Sequence, residues 1–533
     1  MRSGRPTPSG RPLRSSASPK ATDLCSSSRC ISSVTVEESK AHRRDVWTDS
    51  FLVVGSSPTR PTTICPVKRS PFVCFHGPDM RSPRVVLTAV CMSGLVLAAC
   101  SSEEATPEPS PSPSVEPSET TSPSTAPSPE PTPSSTQEPA REVTFAPVDP
   151  GMLGMHVAGA QEGDWPSDAV PVESLRLWDT GTSWLQIEAT RGRYEWGSLD
   201  TALETAADAG VTDVLMVLGP TPVWNASSLK GTQYPVPGAA SEPKSLQAWD
   251  DFVAAVVDRY AGQITAYQIW NEASLKMFWQ GSPEQMADLT DRAYRIIKDK
   301  DPSALVVGAS TTVRLLGAFE RFFPAYVEEL AARDWPVDAL AVHSYPSGAQ
   351  GPLDRARNLR LVRQTLDRLD APALPVWDTE LNYGLAGPGD VPRGEIVGDQ
   401  ATSWVVRTYL DSMRFGVGRT YFYIWTPEPY ELLGMQMTND SGAAAGLRVV
   451  SDWLVGGEWG GCEISGLVNT CVVRKDGEVS ELLWADVGEG QVTGLPEGAE
   501  ACTALGACQV VGEDGSIVVD DVPVRVFPAR DVV

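Results

Sequence analysis

Cysteine is absent from the long central part of the chain, and histidine is scarce throughout. Of ten cysteines, six lie at or before Cys100 and four lie at or after Cys462, and only two histidines, His156 and His343, follow residue 100. The late cysteines lack the spacing of a zinc site and have no histidine near them, and no dinucleotide-binding glycine motif occurs. The sequence therefore predicts no metal site and no cofactor.

Basic residues are also few. The chain has 43 Lys and Arg against 68 Asp and Glu, a net charge of −25, and residues 100–533 carry 29 basic and 62 acidic groups, a net of −33. Such a surface repels phosphate backbones, which argues against nucleic acid as a partner. A neutral polysaccharide or oligosaccharide is compatible with this charge.

The N-terminal part has the features of an export signal. The apolar run from Val85 to Leu97 is too short to span a membrane, follows two arginines and precedes Leu97-Ala98-Ala99-Cys100. This ending resembles the lipobox of bacterial lipoproteins, in which the cysteine is lipidated and becomes the mature N terminus. We interpret residues 80–100 as a lipoprotein signal peptide with Cys100 as the lipidation site. We expect the protein to be lipid-anchored at the extracellular face of the bacterial cell membrane, or secreted, and to be a monomer that touches the membrane only through this anchor.

Two segments without regular periodicity flank that signal. Residues 1–79 are rich in Ser, Arg and Pro, and we interpret them as a wrongly assigned start or a disordered extension, with a genuine N-terminal extension as the alternative. Residues 101–145 are mainly Pro, Ser, Thr and Glu, so they cannot bury enough apolar surface to fold. We expect them to form an extended tether.

Strand-like and helix-like segments alternate over residues 146–457. Eight short apolar segments favour strands: 154–157, 175–178, 213–219, 266–272, 305–309, 339–345, 375–381 and 420–425. Seven amphipathic segments favour helices: 199–209, 245–260, 283–298, 319–332, 353–369, 400–415 and 443–454. The gap after the first strand is short and contains Pro166 and Pro171, so we expect the first helix to be vestigial.

This alternation predicts an α/β fold, a (β/α)8 TIM barrel. An open doubly wound sheet would alternate similarly, but polar residues end strand after strand, which favours a closed ring of loops around one cleft. Residues 458–533 contain short alternating strands separated by Gly and Asp, which predict a small C-terminal β-sandwich. In an exported chain, proximity suggests the disulfides Cys462–Cys471 and Cys502–Cys508.

Two glutamates stand out at predicted strand ends. Glu272 ends the fourth strand in Trp-Asn-Glu, and Glu380 ends the seventh in Trp-Asp-Thr-Glu. The carboxyl ends of barrel strands converge on one site, and a retaining glycosidase needs two carboxyl groups about 5–5.5 Å apart, one protonated and one ionised. Arg176, in the second strand, is the candidate cation that keeps the nucleophile ionised. Either glutamate alone could instead be an exposed strand-end carboxylate or a salt-bridge partner.

A family resemblance follows from these motifs. The set Arg176, Asn271-Glu272, His343-Ser344-Tyr345, Glu380 and Trp425 resembles the retaining barrel glycosidases of clan A, most of all glycoside hydrolase family 39 and next family 5. The resemblance covers residues 150–455. It implies that Glu272 is the acid/base, that Glu380 is the nucleophile and that Asn271 binds the sugar 2-hydroxyl. It further implies that His343 and Tyr345 orient the carboxylates and that Trp425 forms an apolar floor under a sugar ring.

Other residues have weaker signals. His156 ends the first strand and is a candidate contact for a sugar hydroxyl. Trp224 and Trp279 lie in loops, where an aromatic face could stack on a pyranose, although packing is the alternative for each. Asp378 is expected to be a buried, hydrogen-bonded support.

The sequence therefore predicts a glycoside hydrolase that cleaves O-glycosidic bonds of a polysaccharide or oligosaccharide by a two-glutamate double displacement. Two alternatives remain at this point: a sugar-binding lipoprotein, such as a transport receptor, and a barrel that keeps its pocket without activity. The sugar and the linkage depend on loops that one sequence does not define.

Overall fold

The computed structural model describes residues 143–231, 234–348, 350–385, 387 and 393–528. The segments interpreted as the N-terminal extension (1–79), the signal peptide (80–100) with Cys100, and most of the tether (101–145) lie outside the described residues. Within the described ranges, no helix is long and apolar enough to cross a membrane.

The described elements alternate in the order expected from the sequence. The helices are α1 (Trp184–Ile187), α2 (Gly197–Asp208), α3 (Leu246–Tyr260), α4 (Pro283–Lys300), α5 (Leu316–Ala331), α6 (Pro352–Arg368), α7 (Gly398–Arg414) and α8 (Gly442–Leu454). The strands up to residue 425 are β1 (Ala146–Pro147), β2 (Leu153–Val157), β3 (Ser174–Leu177), β4 (Val214–Val217), β5 (Ala266–Gln268), β6 (Leu305–Val307), β7 (Thr311–Thr312), β8 (Leu340–His343), β9 (Val376–Leu381) and β10 (Val417–Trp425). The later strands are β11 (Glu458–Ser465), β12 (Val468–Lys475), β13 (Glu478–Ala485), β14 (Gly490–Val492), β15 (Glu500–Thr503), β16 (Cys508–Val510), β17 (Ile517–Val519) and β18 (Val524–Phe527).

Strands β2 to β10 form one parallel sheet that closes into a barrel. Their order is β6-β5-β4-β3-β2-β10-β9-β8-β7. Strands β6 and β7 are successive pieces of one chain segment, and Val307 of β6 forms a parallel bridge with Ala339, the residue before β8. The Gly308 amide donates a 2.9 Å hydrogen bond to the Ala339 carbonyl, which joins the two ends of the sheet. The predicted (β/α)8 barrel is therefore confirmed.

The barrel interior holds a layer of apolar side chains, and the helices cover its outside. The residues of this layer come from β4, β5, β6, β8, β9 and β10 and include Leu215, Ala266, Val307, Ala341, Trp377 and Tyr421. Helix α4 begins with a capping box, in which Ser282 Oγ accepts from the Gln285 amide and Gln285 Oε1 accepts from the Ser282 amide. Between β2 and β3 lies a 3-10 turn, Ala160–Glu162, in place of a full first helix.

The C-terminal strands form an antiparallel sheet with a small second layer. The larger sheet has the order β1-β11-β12-β13-β18-β15-β16, and β14 pairs with β17 beside it. Disulfides Cys462–Cys471 and Cys502–Cys508 each link two neighbouring antiparallel strands. The smaller core of this region includes Leu483, Ala501 and Val519.

One predicted boundary is wrong. Ala146 and Pro147 form β1, which pairs with β11 of the C-terminal sheet, so these two residues do not belong to the barrel. Phe145, assigned to the tether, packs 4.3 Å from the Arg474 guanidinium. This pairing could not be predicted, because β1 has only two residues and its partner lies more than 300 positions away.

The C-terminal sheet packs on the barrel through α7. The guanidinium groups of Arg407 and Arg414 lie 5.3 and 5.5 Å from the ring of Trp484, on β13. Arg407 Nη2 is 2.9 Å from Asp486 Oδ1, and Arg414 Nη2 is 2.8 Å from Asp411 Oδ1. Since Asp411 is fully buried, these arginines compensate a charge that would otherwise be costly to bury.

Candidate active site

A layer of buried polar side chains lies at the carboxyl ends of the barrel strands, beyond the apolar layer. It is formed by His156 on β2, Arg176 on β3, Gln268 on β5, His343 on β8 and Thr379 on β9, all of them buried. Buried polar groups need hydrogen-bond partners, and here they supply them to one another. The layer is the floor of a cleft at the end of the barrel where active sites of this fold lie.

Glu272 and Glu380 meet at this floor. Their side chains are 13% and 12% exposed, so both are accessible from the cleft. His343 Nδ1 lies 3.1 Å from Glu272 Oε1 and 3.8 Å from Glu380 Oε2, so these two oxygens are at most about 7 Å apart. That bound includes the separation of retaining glycosidases, about 5–5.5 Å, and it meets the lower end of the range of inverting ones, about 6.5–9.5 Å.

Arg176 connects the floor to both halves of the candidate site. Its Nη1 donates to Glu380 Oε2 at 3.1 Å and also lies 3.1 Å from His156 Nε2. Its Nη2 donates to Asn271 Oδ1 at 2.7 Å, and its Nε donates to Gln268 Oε1 at 2.9 Å. Since the side chain is fully buried, all of its charge acts on these partners.

Glu380 accepts hydrogen bonds at both of its carboxyl oxygens. Tyr345 donates to its Oε1 at 2.9 Å and Arg176 to its Oε2. Burial raises the pKa of Glu380, while His343 and Arg176 oppose this rise. Burial lowers the pKa of His343 to about 4, so this imidazole is neutral near pH 7, and Arg176 is the cation that favours the carboxylate.

A β-bulge turns Glu380 into the cleft. Between two successive pairings, β9 advances from Asp378 to Leu381 while β10 advances only from Thr420 to Phe422. The extra residue breaks the alternation of side chains, so the consecutive residues Thr379 and Glu380 both contact groups of the cleft floor.

Glu272 follows a strand that is shorter than predicted. Strand β5 ends at Gln268, four positions earlier, so the prediction that Glu272 ends the strand is wrong. Glu272 has a φ of 43°, a left-handed conformation that is uncommon for a residue with a side chain, and its amide donates to Ser310 Oγ at 2.9 Å. The hydrogen bond to Ser310 holds the residue in this conformation at the floor of the cleft.

The environment of Glu272 favours the protonated form. Burial raises its pKa from the ordinary value to about 7, and the charges of Arg314 and Arg176 and the Thr312 hydroxyl limit this rise. One carboxyl group is therefore placed to carry a proton near neutral pH, beside another that accepts hydrogen bonds from a buried guanidinium and a tyrosine.

Asn271 presents its amide group to the cleft. Its Oδ1 accepts from Arg176, which fixes the side-chain orientation and leaves Nδ2 as the donor end. Among the described residues no hydrogen bond to Nδ2 is found, so its protons are available to a ligand oxygen next to Glu380.

Asp378 supports the strands from behind, as expected. It is fully buried, and Arg355 of α6 lies 2.8 Å from its Oδ2. Its Oδ1 accepts from the Ser344 amide, between His343 and Tyr345. Arg355 also donates to the Thr408 carbonyl and to Ser412 Oγ on α7, so one buried ion pair joins β8, β9 and two helices.

The tryptophans are placed differently from the other predicted residues. Trp425 is 3% exposed, belongs to the barrel core and donates from Nε1 to Asn439, without a described contact to either glutamate. Trp279 is buried against Trp270, with ring centroids 5.1 Å apart, so its interpretation as a stacking platform is wrong. Trp224 is half-buried and donates to the Glu188 carbonyl.

Four residues of the cleft were not singled out from the sequence. Asp179 follows β3 and accepts a 2.6 Å hydrogen bond from the Tyr423 hydroxyl. Tyr234 and Tyr430 lie near enough to Asp179 and Glu380 that these carboxylates raise their pKa values, after the larger effect of burial. Asp179 could have been noted because it lies three residues after Arg176. Tyr423 could have been noted because residues two apart on a strand point to the same face, and Tyr421 points into the barrel. Neither residue belongs to a known motif.

The described residues offer one cluster of metal-ligand type outside the cleft, Glu500 with Cys502 and Cys508. The two sulfurs form a disulfide, so neither can act as a thiolate ligand.

Comparisons with known proteins identify the architecture. No protein-family model matches the chain, and no curated protein matches its sequence significantly. A family 39 glycoside hydrolase from the gut symbiont Bacteroides cellulosilyticus WH2 aligns over 71% of this chain and 81% of its own, with 15% identity and a TM-score of 0.54. A family 39 β-xylosidase from Caulobacter crescentus aligns over 73% of this chain and 98% of its own, with 17% identity and a TM-score of 0.51. At these identities, the comparison establishes that the chain shares its fold with two glycoside hydrolases.

Proposed function

We propose that the protein is a retaining glycoside hydrolase in which Glu380 is the nucleophile and Glu272 the general acid/base. The observation that carries this proposal is the contrast between two carboxyl groups that approach the same nitrogen, His343 Nδ1. Burial raises the pKa of both carboxyl groups, to about 7 for Glu272, but Glu380 accepts hydrogen bonds from Arg176 and Tyr345 that favour its anion. Double displacement requires this division of roles.

The reaction proceeds in two balanced steps. The Glu380 carboxylate attacks the anomeric carbon, the bond to the leaving oxygen breaks, and Glu272 gives its proton to that oxygen. Glu272, now a carboxylate, then takes a proton from water as the water oxygen attacks the anomeric carbon and the ester bond to Glu380 breaks. Asn271 Nδ2 is oriented by Arg176 to donate to the sugar hydroxyl next to the anomeric centre, a contact that strengthens in the transition state.

His343 acts in this scheme as a neutral spacer. Its Nε2 contacts Thr379 Oγ1 at 3.2 Å, which fixes the ring while Nδ1 faces Glu272. Because the pKa of His343 is about 4, the ring does not compete with Glu272 for the catalytic proton near neutral pH.

The stereochemical course tests this proposal directly. The purified chain would be screened against 2,4-dinitrophenyl glycosides of neutral and acidic sugars, and the product of the best one followed by proton NMR from the first minutes. We expect the first-formed product to keep the anomeric configuration of the substrate. An inverted first product would refute the double displacement.

A covalent trap identifies the nucleophile. A 2-deoxy-2-fluoro version of the best substrate should inactivate the enzyme, and peptide mass spectrometry should find the sugar on Glu380. A label on Glu272 would reverse the assignment. Binding of oligosaccharides without hydrolysis of any glycoside would favour the sugar-binding alternative.

We also propose that the protein is exported and lipid-anchored through Cys100. The lipobox-like sequence supports this, and the two disulfides suit an oxidising compartment outside the cytoplasm. Metabolic labelling with a palmitate analogue should label the wild-type chain and not the Cys100→Ser variant. An unlabelled wild-type chain in a bacterial host that lipidates a control lipoprotein would refute the anchor.

A further inference from the structure

Asp179 occupies a position in the cleft that the two-glutamate mechanism does not use. It lies two residues after the end of β3, on the same strand exit as Arg176. Its surface is solvent-accessible, yet enough protein surrounds it that burial raises its pKa. Asp179 therefore lies in a concave, open part of the molecule.

An unbroken series of contacts connects Asp179 with Glu380. Glu380 accepts from Arg176, and Arg176 Nη1 lies 3.1 Å from His156 Nε2. The His156 ring packs edge-on against Tyr423, with centroids 5.0 Å apart, and the Tyr423 hydroxyl donates to Asp179 Oδ2 at 2.6 Å. These groups form a continuous wall that extends from the reacting carboxylate to a second carboxylate.

Asp179 lies on the nucleophile's side of the cleft. Its charge raises the pKa of Glu380, whereas the charges that act on Glu272 are those of Arg314 and Arg176. Glu272 protonates the leaving oxygen, so its side is that of the departing group. The wall from Glu380 to Asp179 therefore faces the sugar whose anomeric carbon reacts.

Asp179 has an acceptor that protein groups leave open. Among the described residues, Tyr423 makes the one hydrogen bond found for Asp179, and it goes to Oδ2. A carboxylate fixed through one oxygen can accept a sugar hydroxyl with the other, Oδ1. The nearest arginine, Arg176, has its three nitrogens engaged by Gln268, Glu380, His156 and Asn271, so it offers little to a ligand anion here.

We propose that Asp179 is a specificity-determining residue, which accepts a hydrogen bond from a ring hydroxyl of the reacting sugar and restricts that sugar to neutral glycosides. This inference rests on the proposed function and names the substrate class of the same site. A uronic acid would bring its carboxylate to a wall that already carries the carboxylates of Asp179 and Glu380, and like charges repel each other there. Tyr423 is the positioning residue that orients Asp179.

A substrate–variant cycle tests the contact. The best neutral aryl glycoside would be compared with its 3-deoxy and 4-deoxy versions, and with the 6-deoxy version where the sugar has a C6, in wild type, Asp179→Ala and Asp179→Asn. Loss of a hydrogen bond to a charged group should lower kcat/KM about 10- to 150-fold for Asp179→Ala on the parent glycoside. One deoxy glycoside lacks the hydroxyl that Asp179 binds. For wild type, kcat/KM on that glycoside should be lower than on the parent by a similar factor, whereas for Asp179→Ala it should equal the value on the parent.

Three controls sharpen the result. Asp208→Ala removes an exposed carboxylate at the end of α2, at the opposite end of the barrel, and should leave kcat/KM unchanged. Tyr423→Phe should lower kcat/KM on the parent glycoside less than Asp179→Ala does. Wild type should hydrolyse the uronoside of the same ring configuration at least 100-fold less efficiently than the neutral glycoside. Asp179→Asn keeps the shape of the side chain, so it separates loss of charge from a failure to fold.

The outcomes separate this inference from the proposed function. The inference is wrong, and the proposed function stands, if wild type hydrolyses glycosides but prefers the uronoside. The same holds if Asp179→Ala lowers kcat/KM by the same factor on every deoxy glycoside, or if it leaves kcat/KM on the parent glycoside unchanged. If wild type hydrolyses no glycoside, both fail together.

Discussion

The Tyr345 hydroxyl donates a 2.9 Å hydrogen bond to Glu380 Oε1. Arg176 contacts the other oxygen of the same carboxylate, so the two oxygens are held by donors from two different strands. Burial and the two nearby glutamates raise the pKa of Tyr345 well above its usual range, so the tyrosine is protonated and can donate at neutral pH. Near neutral pH, this contact with Glu380 does not depend on the ionisation of Tyr345.

We expect Tyr345→Phe to lower kcat on an aryl glycoside about 10- to 150-fold, because a hydrogen bond to a charged group is lost. The ring keeps its packing, so the melting temperature should change little. Tyr294→Phe, at a half-buried tyrosine of α4 that lies near Lys298, is the matched control. A wild-type kcat in Tyr345→Phe would show that this contact does not contribute to the reaction.

The pH dependence of kcat/KM should show an alkaline limb near pH 7. Glu272 must be protonated to act as an acid, and its pKa is about 7. The charge of Arg314 lowers this pKa, so Arg314→Gln should move the limb to higher pH. Arg368→Gln removes the same charge at the far end of α6 and should leave the profile unchanged. A limb that moves to lower pH in Arg314→Gln would contradict this account.

The free energy of unfolding should also carry the signature of Glu272. Its pKa rises from 4.5 in the unfolded chain to about 7 in the folded one, so the stability it contributes is present below pH 4.5 and is lost as the pH rises through 7. Glu272→Gln cannot titrate. The difference in unfolding free energy between the variant and wild type, measured by urea unfolding, should shift by about 2–3 kcal/mol in favour of the variant from pH 5 to pH 8. A difference that is constant with pH would mean that the pKa of Glu272 is not raised.

Removing one partner of the buried pair Arg355–Asp378 should lower the unfolding free energy more than removing both partners. Asp378→Ala leaves a fully buried guanidinium uncompensated and should cost about 3–5 kcal/mol of unfolding free energy. The double variant Arg355→Met, Asp378→Leu removes both charges and should be more stable than Asp378→Ala. Urea unfolding of the single and double variants measures this, and a double variant that is less stable than Asp378→Ala would contradict it.

Much of the barrel could be predicted because its strands are short, apolar and separated by amphipathic helices. Strand β9 was expected at 375–381 and lies at Val376–Leu381, and α4 was expected to begin at Pro283 and does. Strand β5 was overextended because Ile269 and Trp270 are as apolar as strand residues. Where a strand stops depends on its hydrogen-bonding neighbours, which a single sequence does not reveal.

The candidate site was predictable where it follows known motifs and not where it depends on local irregularity. Alternation alone would place Glu380 on the same face as Asp378, but the bulge in β9 separates them, so that Asp378 contacts Arg355 and Glu380 contacts Arg176. Asp179 could not be distinguished from other loop carboxylates, since its position depends on Tyr423, more than 240 positions later.

The pairing of β1 with β11 has a mechanical consequence. The chain segment before residue 146 enters the fold at an edge strand of the C-terminal sheet, through contacts at Ala146 and Pro147. A pull on that segment, from an anchor or a wall polymer, would load this edge first. The force would separate the two-residue strand β1 from β11 before it acted on the barrel. The distances between the residues of the cleft would therefore stay unchanged when the N-terminal side is pulled.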